Sequence, residues 1–277
     1  MAVTLKLDKP EYALGETIRA EVTVTNEGKV AADYPAPELA LPSVSLHVIR
    51  RPDAPTPESH LVRIKGAGKV VKLAPGKSAS GVIEFPAVDP HGQLIEAYYA
   101  PRGDIRPDFS GTDKETSNRV PVRVHAHGKK LHAVIHTEAG PIKLEFFADR
   151  AMNHVLSFVQ LAQSGYFNGI VFHRVVPRFV IQGGDPTGTG SGGPGYKLPA
   201  EFNEIPHVPG ILSMARTSDP HSAGSQFFIC TDDCPNLDEQ YTVFGRVVEG
   251  LDAVMTIGES DRNAGKYHMQ KVEIIAE

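Results

Sequence analysis

Arg174 stands in the run Phe172-His-Arg-Val-Val-Pro-Arg-Phe-Val-Ile-Gln-Gly-Gly-Asp185, among apolar and aromatic residues, with Gln182 eight places on. An arginine is always charged and carries several donors in a fixed plane, so it can stabilise a lone pair that appears only during a reaction. Two further runs share this mixture, Gly210-Ile-Leu-Ser-Met-Ala-Arg216 and Gly224-Ser-Gln-Phe-Phe-Ile229, followed by Asn236-Leu-Asp and Tyr241-Thr-Val-Phe-Gly245. No carboxylate pair and no Ser-His-Asp arrangement stands out from what composition scatters by chance. The chemistry is that of a cation beside an apolar pocket.

Other patterns carry less. Gly188-Thr-Gly-Ser-Gly-Gly193 matches G-x-G-x-x-G, but Pro194 and Gly195 follow it. No helix N-terminus is then available for a pyrophosphate, and the segment reads as a mobile surface loop beside a substrate groove. Cys230-Thr-Asp-Asp-Cys234 has CxxxC spacing and reads as a strand residue followed by a loop residue, not as a metal or redox pair. His125, His127, His132 and His136 fit a solvated linker and strand face better than a metal site. His173 reads as a buried structural histidine. No metal or cofactor is expected.

In this order and spacing, the segments closely resemble the cyclophilins, from about Leu131 to the C-terminus. The connection Gly165-Tyr-Phe-Asn-Gly169 and the run Met214-Ala-Arg-Thr217 are most similar to compact bacterial members. The resemblance implies an eight-stranded antiparallel β-barrel and peptidyl-prolyl cis–trans isomerase activity that assists protein folding. It implies Arg174 as the catalytic cation and Gln182 as the partner that orients it. Phe179, Val180, Phe228, Leu237 and Tyr241 would line a proline pocket, with Asn236 also among the substrate-binding residues. Ala215, Arg216, Thr217 and Gln226 would contact the neighbouring peptide backbone. Phe179 and Ile181 are read onto opposite strand faces, one lining the site and the other filling the barrel.

These residues suit the reaction. Rotation about an X–Pro bond faces a barrier of about 18–20 kcal/mol set by amide resonance, and uncatalysed exchange takes roughly tens to hundreds of seconds. No bond is made or broken, so neither a nucleophile nor an acid–base pair is needed. As resonance is lost, the prolyl nitrogen regains a lone pair that Arg174 can meet, an interaction selective for the transition state. Four positions depart from common family residues. Asn236 stands for a frequent tryptophan, Tyr241 for histidine, Val180 for methionine and Arg178 for glycine. That tryptophan is a main cyclosporin contact in the family, so weak cyclosporin binding is expected. The alternatives are a proline-recognising adaptor and an isomerisation-independent chaperone; retention of Arg174, Gln182, Phe179 and Phe228 favours the enzyme.

The elements that must position these residues are mainly β. Residues 1–126 alternate as strands, with Val3-Thr-Leu5-Lys-Leu7 and Ile18-Arg-Ala20-Glu-Val22-Thr-Val24 the clearest. Further strands are predicted at Val44–Ile49, Val70–Leu73, Val82–Phe85, Leu94–Tyr99 and Val120–Val124. Turn chemistry falls at Asn26-Glu-Gly28, Ala74-Pro-Gly76 and Asp89-Pro-His-Gly92. About seven strands without a helix read as an immunoglobulin-like β-sandwich that tethers the enzyme or binds a protein partner. Residues 127–130 read as a linker and 131–277 as the isomerase domain. There, a helix is predicted from an N-cap near Asp149 to Gly165, and a second has Leu251, Val254 and Met255 inward. The two helices cap a closed barrel.

Composition sets the outer bounds. The 277 residues are 41% apolar and 22% charged, enough to bury a core in each half. A net charge of −5 gives no reason to expect nucleic acid. No stretch approaches the ~20 apolar residues of a membrane span, so no membrane partner is expected. The opening Met1-Ala-Val-Thr-Leu-Lys-Leu-Asp-Lys-Pro has no long apolar run. A cytoplasmic protein acting on proline-containing peptides and unfolded or flexible segments is expected.

Overall fold

The computed structural model describes residues 1–35, 44–50, 58–62, 70–88, 93–99, 115–126, 128–259 and 265–277. Two compact units divide the chain, Met1–His127 and Gly128–Glu277. Among the described residues, no helix is long and apolar enough to cross a membrane.

The first unit holds β1 (Ala2–Leu7), β2 (Glu11–Ala13), β3 (Thr17–Thr25), β4 (Ala32–Pro35), β5 (Val44–Arg50) and β6 (Glu58–Val62). It continues with β7 (Val70–Leu73), β8 (Ser78–Pro86), β9 (Gln93–Tyr99), β10 (Glu115–Thr116) and β11 (Val120–His125). One sheet runs β1-β3-β8 and a larger one β2-β11-β9-β5-β6, with β10 added to β9 and β4 paired separately with β7. Strand alternation sends Val3, Leu5 and Leu7 of β1, and Ile18, Ala20, Val22 and Val24 of β3, into the core. Buried Asn26 ties two predicted turns together: its Nδ2 donates to the carbonyls of Val30 and Leu73, and its Oδ1 accepts the Gly28 N–H. The predicted turn at 89–92 lies outside the described residues.

The second unit begins with the hairpin β12 (Leu131–Thr137) and β13 (Gly140–Phe146), then α1 (Met152–Gln163), β14 (Ile170–Val171), β15 (Arg174–Val176) and β16 (Val180–Gly183). It ends with β17 (Ile211–Met214), β18 (Phe227–Cys230), β19 (Val243–Glu249), α2 (Leu251–Glu259), β20 (His268–Met269) and β21 (Lys271–Ala276). Eight strands form one curled antiparallel sheet in the order β15-β16-β18-β17-β19-β13-β12-β21, while β14 pairs with β20. The fold is mainly β with two helices, as expected.

Phe158 of α1 anchors an aromatic cluster with Phe167, Phe227 and Phe244, at centroid separations of 4.8, 5.4 and 5.8 Å. The helix ends as predicted, with Gly165 at φ 73°. The Gly165 and Tyr166 N–H groups return to the carbonyls of Ala162 and Leu161. Its start differs from expectation. Ala151, not Asp149, is the N-cap, and it offers no capping side chain. The Glu201 carboxylate comes from far along the chain to accept the N–H groups of Asn153 and His154, both at 3.1 Å, and bonds the His154 ring at 2.6 Å. The anion sits where the helix dipole favours it. The inward face of α2 also differs: Ala253, Val254, Ile257 and Gly258 are buried, whereas Leu251 is exposed. The buried set follows the i, i+3/i+4 spacing; Leu251 shares that spacing with Val254 but is the first residue of the helix and stays exposed.

Replacing Glu201 with Ala removes the carboxylate that accepts from this helix start and leaves buried N–H groups without it. The variant is expected to lose about 2–3 kcal/mol of stability, measured by denaturant unfolding. A midpoint equal to that of the parent would refute this long-range cap.

Candidate active site

The β15–β16 hairpin sets Arg174 directly opposite Gln182. The Arg174 Nη1 donates to Gln182 Oε1 at 3.3 Å, and Gln182 Nε2 donates to Gln226 Oε1 at 3.0 Å. Gln226 Nε2 in turn donates to the carbonyls of Gly190 and Gly192, at 3.0 and 2.9 Å. Each amide accepts on one side and donates on the other, so the orientation of the arginine is linked to the loop beyond. The guanidinium stays exposed, 5.9 Å from the Phe179 ring centroid.

Arg178 occupies the hairpin turn at φ 57°, which explains why glycine is frequent there. That turn also corrects the argument made for Phe179. Residues two apart on a regular strand share a face, so alternation would put Phe179 with Ile181. Phe179 instead precedes β16, with its N–H on the Val176 carbonyl, and packs with the Val180 side chain. Ile181 lies on the other face, fully buried, 3.7 Å from where a Cβ on Gly258 of α2 would stand.

Val180, Phe228 and Leu237 are buried in one cluster, with Phe179, Ala215 and Tyr241 partly buried against it. The Phe228 and Tyr241 rings meet edge to face at 5.7 Å. The structure thus brings together every side chain expected to line the proline pocket. Asn236 is exposed on the short 3₁₀ turn Pro235–Leu237, its carbonyl accepting Gln240 Nε2 at 3.1 Å. Arg216 folds back onto its own domain. Its guanidinium lies 4.6 Å from the Tyr241 centroid, and it donates to the carbonyls of Gln240 and Thr217. A groove of about 640 Å³ adjoins the pocket, lined by Gln182, Ala215, Arg216, Thr217, Gln226 and the 190–197 loop. Ala215 belongs to both, so a bound chain could run continuously from one to the other.

The loop after Asp185, expected from its glycines to be mobile, carries several hydrogen bonds to that carboxylate. Buried Asp185 accepts from the N–H and hydroxyl of Thr187 and from the Gly190 N–H, at 2.7, 2.8 and 2.6 Å. Burial pushes its carboxyl upward, but these donors outweigh it and hold it at about 2. The residue stood at the end of the first motif, yet its donors are one threonine hydroxyl and backbone N–H groups, which have no side-chain signature. His173 is half-buried beside Gln226, and burial holds it below the ordinary histidine range.

Cys230 and Cys234 are free and buried, one ending β18 and the other in the following loop, as expected. Burial pushes both thiols upward. His136 pairs with Glu273 at 2.8 Å, and among the described residues no cluster of metal-ligating side chains occurs. Unanticipated from sequence, Ser213, His207 and Asp238 do form a Ser-His-Asp chain, beneath Phe228.

Residues 132–276 match the family described as cyclophilin type peptidyl-prolyl cis-trans isomerase/CLD. A peptidyl-prolyl cis-trans isomerase of Synechococcus elongatus is 48% identical over 132 residues, covering 47% of this chain and 90% of the relative. One of Helicobacter pylori is 44% identical over 137 residues, covering 48% and 83% respectively. The crystal structure of a cyclophilin type peptidyl-prolyl cis-trans isomerase of Cryptosporidium parvum superposes with a TM-score of 0.51 at 32% identity, over 54% of this chain and 99% of that one. The chain belongs to the cyclophilin-type peptidyl-prolyl cis–trans isomerases. It is an enzyme of that class, and its matched residues lie in the second unit.

The Asp185 carboxyl is held below its ordinary 3.8, so its ionised form favours the folded state. That contribution is complete above about pH 4 and lost as pH falls through about 2; the shift corresponds to about 2 kcal/mol. Acid unfolding followed between these limits is expected to show the loss, and Asp185→Asn to lack it. An unchanged acid limb in the variant would remove Asp185 as its source.

Proposed function

We propose that the enzyme turns X–Pro bonds in unfolded or flexible protein segments, with Arg174 stabilising the twisted amide. The observation that carries this is the Arg174–Gln182–Gln226 relay running beside a pocket of Phe179, Val180, Phe228, Leu237 and Tyr241. The proline ring would enter the pocket and lose its water. As the amide twists, its nitrogen lone pair emerges and the guanidinium donates to it, an interaction absent from the planar ground state. Gln182 holds the cation against solvent and Gln226 holds Gln182. Ala215, Arg216, Thr217 and Gln226 border the groove in which the neighbouring peptide would lie. Only proline and nearby backbone are gripped, so substrate choice is broad and includes folding chains.

The first unit is, in this reading, an immunoglobulin-like sandwich that tethers the enzyme or adds a client contact. Its two larger sheets and alternating burial support that shape. The free thiols suit a reducing, cytoplasmic setting.

A protease-free isomerisation assay with a proline tetrapeptide tests the mechanism. The intact protein is expected to accelerate exchange, and Arg174→Ala to lower kcat/KM by about tenfold to a hundredfold. Binding of the peptide without acceleration would leave a proline-recognising adaptor in its place. Full suppression of client aggregation by Arg174→Ala would reveal a chaperone role separate from isomerisation.

Cyclosporin provides a second test. Asn236 gives the pocket rim no indole, so weak binding is expected, tightened about tenfold or more in Asn236→Trp by the added aromatic area. A nanomolar dissociation constant for the unmodified protein would sink the claim.

A further inference from the structure

His207 is fully buried, its ring parallel to that of Phe228 at 6.0 Å and 22°. Its Nδ1 lies 3.0 Å from Asp238 Oδ1, which also accepts the His207 backbone N–H at 2.8 Å. Its Nε2 lies 3.0 Å from Ser213 Oγ, and that hydroxyl lies 3.0 Å from the Thr242 carbonyl. The chain therefore has three links and an acceptor at each end.

Counting protons exposes a shortage. A neutral imidazole has one N–H and a serine one O–H, so two protons serve three links. With the imidazole N–H on Asp238, the Ser213 proton must choose between Nε2 and the Thr242 carbonyl. The carbonyl can release it, because the Met214 N–H also donates there at 3.0 Å. An imidazolium would supply the third proton and complete every link. Burial opposes that charge and keeps His207 below the ordinary histidine range, while Asp238 favours it. Asp238 is itself held low by its two bonds from His207, so it remains the ionised end. The other titratable groups of this cluster are Cys230, Cys234 and Tyr241, with Arg216 over the tyrosine.

We propose that Asp238–His207–Ser213 is a positioning device for the proline pocket, in which His207 sets the plane of Phe228 and uptake of one proton locks it. The idea rests on the pocket role proposed for Phe228. Phe228 grips the ring alike in ground and transition states, so the effect falls on KM, leaving kcat to Arg174.

Imidazole nitrogen NMR and the pH dependence of KM and kcat for a proline tetrapeptide test this together. On acidification, His207 is expected to titrate and KM to fall about threefold at the same pH, with kcat held. Asp238→Asn should move both events to lower pH. His207→Gln should remove the KM step and keep the higher value. Should that variant fail to fold, Ser213→Ala, which deletes the two links through the hydroxyl, should lower the His207 titration and raise KM. A KM step that survives in His207→Gln, a His207 titration with no KM change, or a step in kcat alone would each overturn the proposal. If the intact protein binds peptide without turning it over, the same step is read in Kd, and failure of the isomerase mechanism stays separate.

Discussion

The site depends on the register between β16 and β18. Val180 faces Cys230, Ile181 faces Ile229, Gln182 faces Phe228 and Gly183 faces Phe227. This sends Val180, Gln182 and Phe228 to one side of the sheet, and Ile181 and Phe227 to the helix-covered side. A slip of one residue would reverse every assignment. It would bury Gln182 among the phenylalanines around Phe158 and expose Ile181. The hydrophobic penalty for that exchange fixes the register, and the register places amide and pocket together.

From that register follows a graded set of restraints. The pocket floor is closely packed and buried, and stacked against His207. One step out, Gln182 and Gln226 are held by side-chain hydrogen bonds. The 186–193 loop is held in turn by the Asp185 carboxylate. Gly184 makes the path possible: at φ 86°, a Cβ there would stand 2.2 Å from the Ser225 carbonyl oxygen. Without that close approach, Gln226 could not reach both Gln182 and the loop.

Much of this was legible in the sequence because it depends on local pattern. Alternation and turn residues located seven of the first-unit strands but missed the short β2, β4, β6 and β10, Gly165 marked the end of α1, and the family resemblance named the pocket residues that the structure gathers. What escaped depends on contacts between distant residues. Asp149 offered a local cap, yet Glu201, dozens of residues away, supplies the charge. Leu251 had the right spacing to lie inward, but the face of α2 is chosen by the sheet beneath it. Phe179 reached its expected side through a left-handed turn at Arg178, which no strand period encodes. Ser213 and His207 lie six residues apart, but Asp238 comes from 31 residues beyond His207, so only the fold makes the three a chain.

The two parts of the site face opposite requirements, and their burial reflects this. A group that grips proline gains by excluding water, since apolar burial drives its contact. A guanidinium would lose far more by full burial than one new hydrogen bond returns. Arg174 accordingly stays at the rim, oriented by a neutral amide in place of a carboxylate. In the proposed mechanism this choice has a catalytic reason. A carboxylate would hold the cation equally tightly in every substrate state, whereas a glutamine leaves donor capacity for the lone pair that appears on twisting.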